Sequence, residues 1–508
     1  MDTRKPNAVV QRGPGPSACG LLAAAGCQLL LTGACVVGPN YHRPTAPVPA
    51  AYKETPPPPV AAAGAEWSPA QPSEGAARGK WWEVYNDPQL NALEEQVSIS
   101  NQNVLLAEAQ FREAEDAARV ARSSLFPTVT SSPSISTSRT SGTLFNVNAG
   151  NLTSGERNSY DLPFTVSYLA DIWGSIRRSA RASAETAQAS FAELENARLS
   201  YHAALAQDYF ELHGSDGEQD LLQRTVQSYT DSLQLTKDRF ASGVASGADV
   251  AQAQAQLDTT RAQLIDLGVA RAQLEHAIAI LTGKPPAALS IPAAPNKLEP
   301  PPVPVGLPST LLERRPDIAS AERQMAAANE QIGIAQAAYY PSLTLSATGG
   351  LESGSISQWL TWPSRFWSLG PTLAETLFDA GRRRAQVAGA QAAFDASVAT
   401  YRQTVLTGFQ QVEDNLAALR ILAGEATAED AAIHAAQQSL DISTYQYKAG
   451  TVDYLTVLTE QTILLQDQVQ AVNILTRRMT ASVLLIEALG GGWDASALPA
   501  PQALVHGN

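Results

Sequence analysis

Residues 445–461, YQYKAGTVDYLTVLTEQ, decide the fold. A helical Leu/Val spacing breaks at Lys448-Ala449-Gly450 and resumes at Leu455. Glycine readily ends a helix in the left-handed conformation, and a short turn can then start a second helix running back. The stretch therefore predicts the reversal point of a helical hairpin. Residues 238–254, DRFASGVASGADVAQAQ, have the same form, and Gly243 lies 207 positions before Gly450.

The repetition extends beyond the two reversals. Residues 103–130 lie over 317–344 at an offset of 214, with Pro127 over Pro341, whereas Gly174 lies over Gly381 and Gly217 over Gly424 at an offset of 207. The difference falls between Pro127 and Gly174, where a loop of variable length is expected. The chain reads as a tandem duplication.

Within each half the hydrophobic period changes in the same order. Residues 91–124 and 316–338 are rich in Ala, Gln and Glu at helical spacing, and each ends near an aromatic-Pro pair that stops a helix. Strand-like segments follow. Leu162, Phe164, Val166 and Tyr168 alternate with mostly smaller or polar residues, and Trp367, Leu369, Pro371, Leu373 and Leu377 do the same. Their partners are PTVTSSPSISTS and PSLTLSATGG, which makes two hairpins and four strands.

Long helices fill the remainder. A continuous helix over the 68 residues 175–242 spans about 100 Å at 1.5 Å per residue. Leu455, Leu458, Thr462, Leu465, Val469, Val472, Thr476, Met479, Val483 and Ile486 step by three and four, and Val387, Phe394, Val398, Tyr401, Val405, Val412, Leu419 and Leu422 supply a matching stripe. Such stepping winds helices into coiled coils. A helix cap is expected at Asp87-Pro88.

All three cysteines, Cys19, Cys27 and Cys35, precede the structured region, so the body holds neither a disulfide nor a thiolate metal site. Arg4, Lys5 and Arg12 before an apolar run have the layout of a secretory signal. Cys35, after Thr32-Gly33-Ala34, is the expected acylated residue of a lipoprotein, with palmitate as one of the acyl chains. The expected organisation is a signal peptide over 1–34, the lipidated cysteine and a Pro-rich tether over 35–79, a first repeat over 80–310, a second over 311–492 and a tail over 493–508.

Lys and Arg total 35 against 49 Asp and Glu, a net charge of -14, which argues against nucleic acid as a partner. No apolar run after the signal is long enough for a transmembrane helix. If the mature chain spans a membrane, strands must do it. Four strands cannot close a barrel, and open edges in lipid cost several kcal/mol per unpaired group. Three chains supply twelve strands, an even count of the kind outer-membrane barrels use. The expected fold is thus an α+β membrane protein: a trimeric twelve-stranded outer-membrane β-barrel, four strands per chain, continued by a long α-helical coiled-coil periplasmic tunnel.

CVVGPNYHRP, KWWEVYNDPQL, LLERRPDIASAERQ, FDAGRRRA and LGGGW together resemble the TolC/OprM-type outer membrane factors, and within them the lipoprotein branch called the NodT family. The resemblance covers nearly the whole mature chain, and Arg314-Arg315-Pro316-Asp317-Ile318 is its most specific piece. It implies a homotrimeric duct in outer-membrane lipid that meets a periplasmic adaptor (membrane fusion) protein and an inner-membrane RND transporter. The duct would be a passive exit for small molecules, with no cofactor and no enzymatic step. A type I protein secretion channel paired with an ABC exporter shares the fold and is the alternative.

The resemblance also assigns residues. Leu455 matches the apolar position at the periplasmic aperture, while Thr456 and Thr459 stand where relatives often have aspartate, with Asp453 and Glu460 adjacent. Leu455 and Leu458 equally suit an ordinary coiled-coil seam. Tyr447 and Asp249 match a tip network whose arginine is replaced here by Val452. Arg239, Ala241, Gly243, Lys448 and Gly450 are the expected adaptor contacts. Arg177, Arg178 and Arg181, with Arg382, Arg383 and Arg384, sit at helix starts that disfavour cations, so lipid phosphate or simple solvation is expected to hold them. Trp359, Trp362 and Trp367 suit an interfacial girdle. The six histidines are scattered with no HExxH pair, and LTGKPP lacks the rest of a phosphate loop.

Overall fold

The structure, a computed structural model, describes residues 36–54, 79–139, 156–294, 299–303 and 308–506. Cys35, the expected signal segment and much of the Pro-rich stretch lie outside the described residues. The chain divides into two compact units: Met1–Tyr41 with Arg119–Ala182 and Ala328–Phe394, and His42–Ala118 with Ser183–Ala327 and Asp395–Asn508.

The first unit holds one antiparallel sheet of β1 (Thr128–Ser131), β2 (Ser134–Arg139), β3 (Glu156–Ala170), β4 (Ser342–Ser353) and β5 (Arg365–Ala374). β1 and β2 both pair with β3 and are one strand interrupted at Ser132-Pro133, where proline lacks the ladder donor. Four strand tracks result, as the alternation predicts. The sequence did not reveal that the hairpins join through an eleven-residue β3–β4 register from Tyr160↔Ser353 to Ala170↔Leu343.

That register sorts the side chains by face. Phe164, Gly349 and Trp367 lie in one row, and Val166, Ala347 and Leu369 in the next, so one face is apolar across three strands. Thr165, Thr348 and Ser368, then Ser167, Ser346 and Gly370, put the opposite face in hydroxyl and glycine, with Leu169 and Phe366 as exceptions. Both faces are open in the single chain: on the apolar one Trp367 is 76 % and Leu369 71 % exposed, with Val129, Ile135 and Leu373 also open, and on the other Ser167, Ser346 and Ser368 are exposed.

Below the strands, the cationic helix starts find protein carboxylates. Asp171 accepts from the backbone N–H of Ile176 and Arg177 and from Arg177 Nε at 2.9 Å, so it caps α3 (Ser175–Ala241, defined below) and neutralises its first arginine. Asp379 does the same for Arg383, at 2.6 Å from Nε. Arg178 is buried, donating to Glu330 at 2.8 Å and to the Val37 carbonyl at 2.7 Å. The lipid-phosphate and solvation readings are thereby corrected for Arg177, Arg178 and Arg383: protein acceptors offset the unfavourable macrodipole. Arg181, Arg382 and Arg384 are exposed.

The helices are α1 (Pro88–Ser100), α2 (Gln102–Ser123), α3 (Ser175–Ala241), α4 (Gly247–Leu281), α5 (Pro316–Ala337), α6 (Arg382–Ala449), α7 (Tyr454–Ala488) and a terminal α8 (Pro501–His506). Their lengths pair across the halves: 22 residues each for α2 and α5, 67 and 68 for α3 and α6, and 35 each for α4 and α7.

In the second unit, Asp87 caps α1 by accepting from the Gln89 and Leu90 N–H groups, and its other oxygen accepts from Tyr209 at 2.7 Å. Trp81, Trp82, Tyr85, Leu90, Leu205, Phe210, Met479 and Val483 share the core built on this cap. Inside it Glu94, fully buried, meets His202 Nδ1 at 2.6 Å, with Ser98 on Nε2 and Trp82 stacked on the imidazole. Burial raises the Glu94 carboxyl well above its ordinary range, and burial followed by the Arg198 charge brings His202 down to about 4. Burial thus disfavours the charged form of both partners.

The expected stripe on α6 is partly buried as read, with Tyr401, Val405, Val412, Leu419 and Leu422 inside. On α7, Met479, Val483 and Ile486 are buried too, but toward the reversal the series is Tyr454, Val457, Gln461 and Leu464. It runs one residue ahead of the expected Leu455, Leu458, Thr462 and Leu465. The shift of one position, about 100° around the helix, leaves Leu455 half exposed at 51 %.

Candidate functional site at the helix reversals

Both reversals sit in the second unit and close in the same way. Gly243, at φ 72°, donates its N–H to Phe240, and the Val244 N–H reaches back to Arg239; Gly450, at φ 76°, donates to Tyr447, and Thr451 reaches Gln446. These paired bonds satisfy the last helical carbonyls, and the left-handed φ is why glycine stands there. Ser246 then caps α4 in a reciprocal box with Asp249. In the second half the roles are swapped: Asp453 caps α7, accepting from the Thr456 N–H at 3.1 Å and its hydroxyl at 2.7 Å.

Behind the reversals all four long helices contribute to one small core: Tyr229 and Leu233 from α3, Ala253 and Leu257 from α4, Tyr447 from α6, and Tyr454 and Val457 from α7. Tyr447 is buried edge-on to Tyr454, with ring centres 5.5 Å apart. The guanidinium of Arg239 lies 4.7 Å from the centre of the Tyr447 ring, and Nη1 donates to the Lys448 carbonyl at 3.0 Å. Here one cation serves two helix C-termini, its own and that of α6, where unsatisfied carbonyls favour positive charge. The charge also gains from the tyrosine face.

The expected residues are therefore distributed as follows. Asp249 is engaged with its own cap, and the Tyr447 hydroxyl has no hydrogen-bond partner, so the Asp249–Tyr447 pair of the expected network is not formed within the single chain. Arg239 of the other hairpin contacts Tyr447 instead. That side chain, an expected adaptor contact, is half-buried here, and beyond its place in the last turn of a helix no local pattern signals the contact with Tyr447. Ala241, Gly243, Lys448 and Gly450 are exposed. Leu455 projects from the first turn of α7, while the Thr459 hydroxyl donates to the Leu455 carbonyl at 2.9 Å. The Thr456 hydroxyl and N–H hold the Asp453 carboxyl below the usual carboxylate range. Asp453 therefore remains an anion at the mouth of the reversal.

Among the described residues no cluster of His, Cys, Asp or Glu could hold a metal ion, and no helix is long and apolar enough to cross a membrane. The motif Arg315-Pro316-Asp317 serves architecture. Arg315 is bidentate to Asp317, at 3.0 and 2.6 Å, and Nη1 donates to Gln411 and to the Ala488 carbonyl.

A sheet with one open apolar face, combined with capped reversals on very long helices, defines a class: the channel proteins of the bacterial outer membrane. The outer membrane efflux protein family model matches residues 93–284 and 307–491, and the chain belongs to that family. It is 31 % identical over 420 residues to the pyoverdine export outer membrane protein OpmQ of Pseudomonas aeruginosa, covering 82 % of this chain and 88 % of that one. It is 29 % identical over 466 residues to the probable efflux pump outer membrane protein TtgC of Pseudomonas putida, covering 91 % and 94 %. The solved outer-membrane channel OprN superposes with a TM-score of 0.81 at 28 % identity, over 90 % of this chain and all of that one.

Proposed function

We propose that this chain is the outer-membrane exit duct of a tripartite efflux system, passively conducting small molecules that an inner-membrane RND-type pump and a periplasmic adaptor deliver to it. Family membership and relatives named for efflux and export support the reading. The observation that carries it is the sheet. Its apolar face is open, and its outer strands, β1 with β2 on one side and β5 on the other, have no further partner in the described sheet. Lipid suits such a face, and only closure with other copies suits such edges. Three copies of four strand tracks close a twelve-stranded barrel, and the duplicated halves, 80–310 and 311–492, would then each contribute one helical hairpin to the tunnel.

On this reading Leu455 rings the periplasmic aperture with Asp453, Thr456 and Thr459 beside it, and the exposed Ala241, Gly243, Lys448 and Gly450 meet the adaptor. Cys35 carries the acyl anchor after removal of 1–34. Two measurements test the duct together: native mass of the detergent-purified protein, expected at three chains, and ion conductance in planar bilayers. A stable monomer without channel activity would sink the proposal.

A further inference from the structure

The N-terminal segment was expected to be a loose leash, yet from Arg43 to Glu54 it is held along α6. Arg43 Nε donates to the Tyr401 hydroxyl at 3.1 Å, and Nη2 donates to the Leu312 carbonyl at 3.4 Å. The Arg43 guanidinium also lies 5.7 Å from the centre of the Tyr401 ring. Arg402 donates to the Thr45 carbonyl. The two oxygens of Glu413 accept the successive backbone N–H groups of Lys53 and Glu54, at 2.7 and 2.9 Å. Arg420 closes the series with two bonds to Glu54, at 3.0 and 2.6 Å.

The dimensions agree with a stretched chain. From Tyr401 to Arg420 the helix rises about 28 Å at 1.5 Å per residue. Eleven steps of extended backbone reach about 36 Å. The segment has no regular secondary structure, so its polar backbone needs outside partners, and α6 side chains supply several of them. Tyr52 adds a half-buried phenol, pushed up to about 12 by burial and then by the Glu413 charge.

We propose that the face of α6 carrying Tyr401, Arg402, Glu413 and Arg420 is a docking site for the chain's own mature N-terminal segment, which it reads chiefly through the backbone. A carboxylate spanning two consecutive amides recognises an extended chain whatever its side chains, while Arg43 and Glu54, gripped at either end, set the register. Docking converts the leash into a staple that fixes where a membrane anchor departs from the helical body. The staple role rests on acylation of Cys35; the docking does not.

Hydrogen exchange of the full-length protein in detergent, read by mass spectrometry, tests the docking. The Lys53 and Glu54 amides are expected to be protected in the wild type and to exchange about tenfold faster in Glu413→Ala. Glu413→Gln, which keeps one acceptor, is expected to fall between. Arg420→Ala, a partly exposed change that removes the grip on the Glu54 carboxylate, should speed exchange of the Lys53 and Glu54 amides to a smaller extent even if Glu413→Ala misfolds. Cys35→Ala is expected to keep full protection. Wild-type exchange as fast as that of an unstructured peptide, no difference in both the Glu413→Ala and Arg420→Ala proteins, or loss of protection in Cys35→Ala would each overturn the docking. Metabolic labelling with palmitate reads the anchor separately: an unlabelled wild-type chain removes the staple and the anchor reading while leaving the exchange result intact.

Discussion

Arg239 illustrates what a single side chain contributes at the reversals. It is partly exposed, yet it combines a hydrogen bond to the Lys448 carbonyl with the face of Tyr447. Arg239→Ala is expected to cost about 1–2 kcal/mol in thermal or denaturant unfolding. In planar bilayers the same change should raise the open fraction, because nothing else in the described chain replaces that bridge. Leu455→Ala is expected to behave oppositely: stability within about 0.5 kcal/mol of wild type, since the residue is half exposed, but altered single-channel conductance. Unchanged current would remove Leu455 from the aperture. Asp208 supplies a pH test. Burial and then the neighbouring Glu211 push its carboxyl up to about 6 from 3.8. The folded state therefore holds a proton that the unfolded state has lost between those values, and its stabilising effect, complete below pH 4, disappears as pH rises through 6. Asp208→Asn should accordingly be more stable than wild type at pH 7, by on the order of 1–2 kcal/mol after allowance for solvent screening, and equal to it below pH 4. Denaturation midpoints at the two pH values decide it.

At the scale of elements, alternation made the strands legible because their period survives whatever the sheet packs against. The apolar side of that alternation was equally legible from Trp367, Leu369 and Leu373. Leu369→Arg is expected to cost about 2–4 kcal/mol in folding into vesicles, whereas Ser368→Arg, on the hydroxyl face, should insert. Heat-modifiable gel mobility separates the two. The seam of α7 was harder to read. Two apolar stripes run side by side, Leu455-Leu458-Leu465 and Tyr454-Val457-Leu464, and periodicity alone cannot say which one the chain itself covers. The Tyr447–Tyr454 contact selects the second. Leu464→Ala is thus expected to destabilise by about 2–3 kcal/mol, well beyond the effect of Leu455→Ala. The glycine reversals were legible to the residue, since a left-handed φ leaves few choices. The β3–β4 pairing was not, because a long-range register leaves no local trace.

For the whole molecule, the spacing of Gly174, Gly243, Gly381 and Gly450 led to the expectation of a duplication, and the helix lengths pair in the same order. The segment from Arg43 to Glu54 was read only as a tether because an extended chain held by distant side chains carries no period of its own. Composition suggested only that its prolines forbid helix. The arginines at the helix starts were expected to meet lipid phosphate or solvent; the carboxylates that hold three of them, Asp171, Asp379 and Glu330, could be identified only in three dimensions.

Each reversal satisfies its own backbone within a few residues, by glycine closure on one side and a Ser246 or Asp453 cap on the other. Such a tip is an interchangeable fitting. Its outward side chains can be altered, or one hairpin end grafted onto the other, without unwinding the coils behind it. On the proposed adaptor reading, selection can therefore retune which periplasmic protein is greeted while the conduit itself stays as it was.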